Sequence, residues 1–175
     1  MADYDRGVEL LQRLGGVARP AVLELFEGVG AADFGAEAVA FVYGGVYQRP
    51  DLSLRHRQLV TVAALSTLGY AQAQLDFHHT AARNLGCTEQ ELREAAGTAG
   101  EVGALDERSR LLVLVAASTA RGGVGPELRE HLLRLRDSGG ERAAVEVILH
   151  TAVYAGFPAA LNALAIAREV LRPGG

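Results

Sequence analysis

The chain has 175 residues, 49% of them hydrophobic, no tryptophan and a net charge of −4, which is enough length to bury a core as one domain or as two small fused helical units. All 17 basic residues are arginine and they are interspersed among 21 acids, so the basic stripe of a nucleic-acid binder is missing. Cys87 is the only cysteine, which excludes an intramolecular disulfide, a Cys-x-x-Cys redox pair and a thiolate-rich zinc site.

The N-terminus, Met-Ala-Asp-Tyr-Asp-Arg, lacks the basic-then-apolar order of a signal peptide. To the eye no apolar run reaches membrane-span length, and the expectation is a cytoplasmic protein with no membrane partner. Glycines punctuate the chain at Gly15-Gly16, Gly28, Gly30, Gly44-Gly45, Gly69, Gly86, Gly122-Gly123 and Gly139-Gly140. Between them lie segments of helical length rich in Ala, Leu, Glu, Gln and Arg, all good helix formers. N-terminal helices are predicted over about 1–50, with Tyr43 and Tyr47 on one helix face ahead of Arg49-Pro50. The runs Leu59 to Leu65 and Leu111 to Ala117 contain β-branched residues. Each continues unbroken into Ala/Ser-rich sequence, so both are read as buried helices although period alone does not separate the two states. Thr88-Glu89-Gln90-Glu91 is a capping box just past Gly86, placing a helix stop and a new start there.

An internal repeat organises the rest. Arg57 to Ala64 resembles Arg110 to Ala117, and the same offset of 53 residues carries Gly69 to Gly122, His78 to His131 and Gly86 to Gly139. The first copy covers about 51–103, with a third helix from Thr88 to about Val102. The second covers about 104–156, with a third helix from Glu141 to about Gly156. A closing helix follows, Pro158 to Leu171. The fold predicted is a single all-α domain, a bundle of about eight to ten helices.

Histidine, arginine and tyrosine carry the candidate chemistry. His78 shares a stripe with Leu75, Ala82 and Leu85, and His131 lies likewise with Leu128, Leu132 and Leu135. Either is a core histidine bonded to a carbonyl, or a partly buried imidazole with its pKa tuned near neutrality for proton transfer. His150 and Tyr154 are four apart on one face and can join His131 in a polar cluster, or make a plain inter-helix hydrogen bond. Arg57 and Arg110 each open a buried helix. They suit bidentate recognition of a substrate carboxylate or, more commonly, an ion pair with a neighbouring acid. Tyr43 and Tyr47 either line a pocket or are core. No His-x-x-x-His or Glu-x-x-His pair supports a metal site, and Cys87 reads as an incidental small residue.

Four segments carry a family resemblance. Phe41 to Leu52 looks like the helix entering the core of γ-carboxymuconolactone decarboxylases, and Arg57 to Leu65 looks like the buried helix that follows. His78 to Thr88 is similar to that family's histidine helix and its stop, and Val147 to Ala160 resembles its C-terminal signature. The resemblance implies an all-α homo-oligomer, a trimer or hexamer, that needs no cofactor. It implies acid/base chemistry on a small carboxylated lactone or enolisable substrate, with His78 and Arg57 matching the family's histidine and arginine. His131 is the second catalytic candidate, with Tyr43, Tyr47, His150 and Tyr154 around the substrate. Gly45 and Gln74 stand where acids are expected, and an extra fifty or so residues separate the histidine unit from the closing motif. Two alternatives stand beside the decarboxylase: an isomerase or cyclase on the same scaffold, and a non-catalytic binding protein. Exclusive use of arginine points to a GC-rich source, where a tailoring step in secondary metabolism is a natural setting.

Overall fold

The computed structural model describes residues 3–97, 103–122 and 125–171. Among these the chain forms nine α-helices and no strand, so both ambiguous runs are helical. The backbone parts into two compact units, Met1–Arg49 and Pro50–Gly175, where the sequence suggests one domain. The break falls at the predicted start of the first repeat.

The first unit contains α1 (Tyr4–Gly15), α2 (Ala21–Gly28), α3 (Ala32–Val42) and a 3₁₀ turn, Val46–Gln48. Asp3 caps α1 by accepting the Arg6 N–H, and Gly7, Leu10, Leu11 and Leu14 form its buried stripe. A Cβ on Gly44 would stand 1.8 Å from the Asp3 carbonyl oxygen, so only glycine permits that approach. Tyr43 and Tyr47 do not share a helix face: α3 ends at Val42, and Tyr47 belongs to the 3₁₀ turn.

The second unit contains α4 (Leu54–Leu68), α5 (Gln72–Asn84), α6 (Glu89–Ala95), α7 (Glu107–Ala120), α8 (Gly125–Asp137) and α9 (Glu141–Leu171). Helices α4 and α7 stand 53 residues apart in sequence and pack along each other, and α5 and α8 stand at the same offset. Helix α6 ends at Ala95, short of the expected Val102, and residues 98–102 lie outside the described part. The predicted capping box at Thr88 and Glu91 is formed. Helix α9 breaks at Gly156 (φ 82°, ψ 161°), just ahead of Pro158, so its halves match the two helices expected there.

By length and composition α9 is apolar enough to cross a membrane, which corrects the reading of the sequence by eye. Its first half nevertheless buries Glu146, His150 and Thr151 against neighbouring helices, the pattern of a core helix.

Two ion pairs, one buried and one partly exposed, relate the copies by exchange. Arg57 of α4 faces Glu146 of α9 at 3.5 Å, and Arg110 of α7 faces Glu94 of α6 at 2.7 Å. The arginines correspond at offset 53. The glutamates correspond at offset 52, because the second copy is one residue shorter between Gly139 and Glu141 than the first between Gly86 and Glu89. Each copy's arginine is thus matched by the other copy's third helix.

Glu94 also accepts the N–H groups of Gly103, Ala104 and Leu105. Burial alone would raise its pKa, but these bonds and Arg110 outweigh burial and hold the carboxyl at about 2. Glu94→Gln is expected to cost about 1–2 kcal/mol, since the neutral amide weakens the bond from Arg110 and leaves part of this N–H set unanswered. Urea unfolding at pH 7 measures it, and a loss below about 0.5 kcal/mol would contradict the contact.

Candidate functional site

The polar residues of the second unit converge on α4, α5 and the first half of α9. Helix α4 is capped by Ser53 and is buried almost all round from Arg57 to Leu65. Three of those buried positions are polar: Arg57, Gln58 and Thr61. Buried polar groups require partners, and α5 and α9 supply most of them.

On one side of this network sit Arg57, Thr61, Glu146 and His150. The Arg57 guanidinium reaches Glu146 and lies 3.3 Å from His150 Nδ1. A guanidinium only donates, so Nδ1 accepts and the proton sits on Nε2. From there it is donated to Thr61 Oγ1 at 2.9 Å. Burial first, then the Arg57 charge, pushes the His150 pKa well below its ordinary value.

On the other side, His78 Nδ1 donates to Gln58 Oε1 at 2.8 Å, and Nε2 accepts from the Tyr154 hydroxyl at 3.4 Å. The Tyr154 ring joins the two sides, 5.4 Å from the His78 ring and 5.6 Å from that of His150. Burial, with His79 beside it, takes the His78 pKa down to about 3. The near-neutral value expected from sequence is therefore corrected: His78 is a neutral acceptor, not a stored acid. Tyr154 is half-buried and is the end of the network closest to solvent. Gln58 Nε2 is a buried donor with no partner among the described residues.

Two site expectations change. Arg57 has no exposed surface and is matched by Glu146, so its charge is spent inside the protein and it does not act as an open carboxylate clamp. Among the described residues His131, on α8, makes neither a hydrogen bond nor a ring contact with His150 or Tyr154. Burial lowers its pKa, and its Nδ1 is buried without a partner among the described residues. The repeat explains the difference. At the copied positions Gln58 becomes Leu111 and Thr61 becomes Leu114, while His150 and Tyr154 correspond to Thr98 and Val102. The second copy of the buried helix therefore lacks the two polar side chains that answer His78 and His150 in the first.

Tyr43 and Tyr47 lie in the other compact unit, stacked with ring centroids 4.9 Å apart, and burial raises the Tyr43 pKa. Gln58, Thr61 and Glu146 were missed from sequence. Gln58 and Thr61 interrupt an otherwise apolar buried helix, and that interruption was the available signal. No cluster of three or more metal-ligating side chains occurs among the described residues.

The sequence model described as Carboxymuconolactone decarboxylase family matches the chain twice, at residues 32–103 and 96–169. The paired matches fit a duplicated unit. No curated protein matches the chain significantly.

Proposed function

Because the chain belongs to the carboxymuconolactone decarboxylase family, we propose that it is a proton-transfer enzyme acting without a cofactor on a small carboxylated lactone or related enolisable substrate. The observation that carries this reading is the Gln58–His78–Tyr154 chain, which ends in a hydroxyl at the edge of the buried network. In decarboxylation the bond to the carboxylate breaks, carbon dioxide leaves, and the electron pair passes into a dienolate. The Tyr154 hydroxyl, which donates to His78 Nε2 at rest, turns toward the dienolate carbon, gives it the proton and recovers one from solvent. His78 orients the hydroxyl between turnovers, and Gln58 fixes the His78 tautomer. Arg57, Glu146 and His150 are positioning residues. The same groups serve an isomerisation or cyclisation through an enolate.

The test is carbon dioxide release from γ-carboxymuconolactone. Tyr154→Phe and His78→Ala are each expected to lower kcat by about 10²-fold or more, whereas His131→Ala stays within about twofold of the parent. Equal losses in His131→Ala would move the site to the second copy. A second reading, a binding protein without chemistry, is favoured by the full enclosure of Arg57 and His150. It predicts no turnover in any variant.

A further inference from the structure

Within the second unit a cavity of about 160 Å³ lies among α7, α8 and the second half of α9. Ser118 of α7, Gly122 just past it, Gly125 and Leu128 of α8, and Asn162 and Ile166 of α9 line it. It shares no residue with the Gln58–His78–Tyr154 network, and the described residues that line it carry no charge.

Ser118 is 2% exposed, and its hydroxyl has no hydrogen-bond partner among the described residues. A serine or threonine inside a helix can bond the carbonyl four residues back. The neighbouring Thr119 does so, its hydroxyl donating to the Val115 carbonyl at 2.7 Å. A buried hydroxyl left unanswered is costly, so Ser118 brings an unmet donor and acceptor to the wall. The Gly122 carbonyl accepts from Asn162 Nδ2 at 3.4 Å, longer than an ordinary bond, and its second lone pair can accept again. A Cβ built at Gly125 would meet only Ile166 Cδ1, at 3.8 Å among the described residues. Sterics therefore do not demand glycine there, and a side chain would take up space that the cavity keeps.

We propose that this cavity binds a small uncharged alcohol, its hydroxyl paired with Ser118 and its carbon body against Leu128 and Ile166. The volume fits about six heavy atoms, since a cavity of about 150 Å³ takes up benzene. An ionised ligand would enter without a counter-charge, and a purely apolar one would leave Ser118 unanswered. The proposal is independent of the reaction assigned to the buried network.

Cyclopentanol, titrated into the intact methyl-labelled chain and followed by the NMR signals of Leu128 and Ile166, tests it. Saturable shifts with a millimolar Kd are expected, as suits so small a ligand. Ser118→Ala should weaken binding about fivefold or more. Its urea midpoint should stay level or rise, because that hydroxyl has no partner among the described residues to lose. Gly125→Ala, which narrows the cavity, should weaken binding about threefold or more. Ser66→Ala removes another unpartnered hydroxyl, one outside the cavity, and should leave binding unchanged. Tighter binding of butyrate than of cyclopentanol would overturn the uncharged assignment. Unchanged affinity in Ser118→Ala would overturn the pairing, and no saturable shift at Leu128 and Ile166 would overturn the site.

Discussion

Replacing Glu146 by alanine is expected to lower the unfolding free energy by about 3–5 kcal/mol, a large share of the 5–15 kcal/mol typical of a whole domain. The reason is Arg57. Its side chain has no exposed surface, and Glu146 is the acid beside it. Removing the carboxylate leaves a permanently charged guanidinium in a region that water does not reach, and unlike a histidine it cannot escape by losing a proton. His150 offers Nδ1, a neutral acceptor, which softens the loss without cancelling the charge. The double variant Arg57→Met with Glu146→Leu removes both charges at similar volume, and should be more stable than Glu146→Ala alone. Urea titrations of the three proteins at pH 7.5 decide the matter. A Glu146→Ala protein within 1 kcal/mol of the parent would show that the pair is not desolvated as its burial requires.

Acidification should unfold the protein well before its carboxylates are protonated. His78 and His150 are neutral in the folded chain, and burial holds both pKa values below the ordinary one, that of His78 at about 3. In the unfolded chain each titrates near 6.5. As pH falls through 6.5 the unfolded state therefore takes up protons that the folded state refuses. Stability falls by about 1.4 kcal/mol per pH unit for each histidine. His78 alone removes about 3 kcal/mol by pH 4.5, and His150 adds to the loss in the same direction. His56, His79 and His131 are shifted the same way and steepen the slope. Glu94, depressed to about 2, continues the loss below the ordinary carboxylate range. Urea midpoints should be flat above pH 7.5 and drop steadily below 6.5, and His150→Gln should flatten the drop. A midpoint unchanged between pH 7 and 5 would mean that the buried imidazoles are protonated in the folded state.

Much of the fold was legible because its signals are local. The capping box at Thr88, the glycine stops at Gly69 and Gly86, and the break before Pro158 each act within one turn of chain. The repeat was legible because its landmarks share one offset. The partners were not. Glu146 is an ordinary glutamate in a helix-forming run, and only its position 89 residues beyond Arg57 makes it the counter-charge. His131 looked equivalent to His78 because the histidine itself was copied. The residues that set His78 apart, Gln58 on α4 and Tyr154 on α9, lie in other segments and were not copied. Tyr43 and Tyr47 were placed on one helix by spacing. The helix ends between them, where Gly44 lets the backbone press against Asp3.

The exchange of ion pairs between the copies also settles how the site responds to dilution. A single copy spanning α4 to α6 holds Arg57, Gln58, Thr61 and His78 but not Glu146, His150 or Tyr154. Were the copies separate molecules, the network would exist only when two met, and its occupancy would follow protein concentration. Joined in one chain, the halves meet at an effective concentration set by the connecting segment, in the millimolar range for short links. The network is then as complete in a single molecule at nanomolar concentration as in a crowded solution.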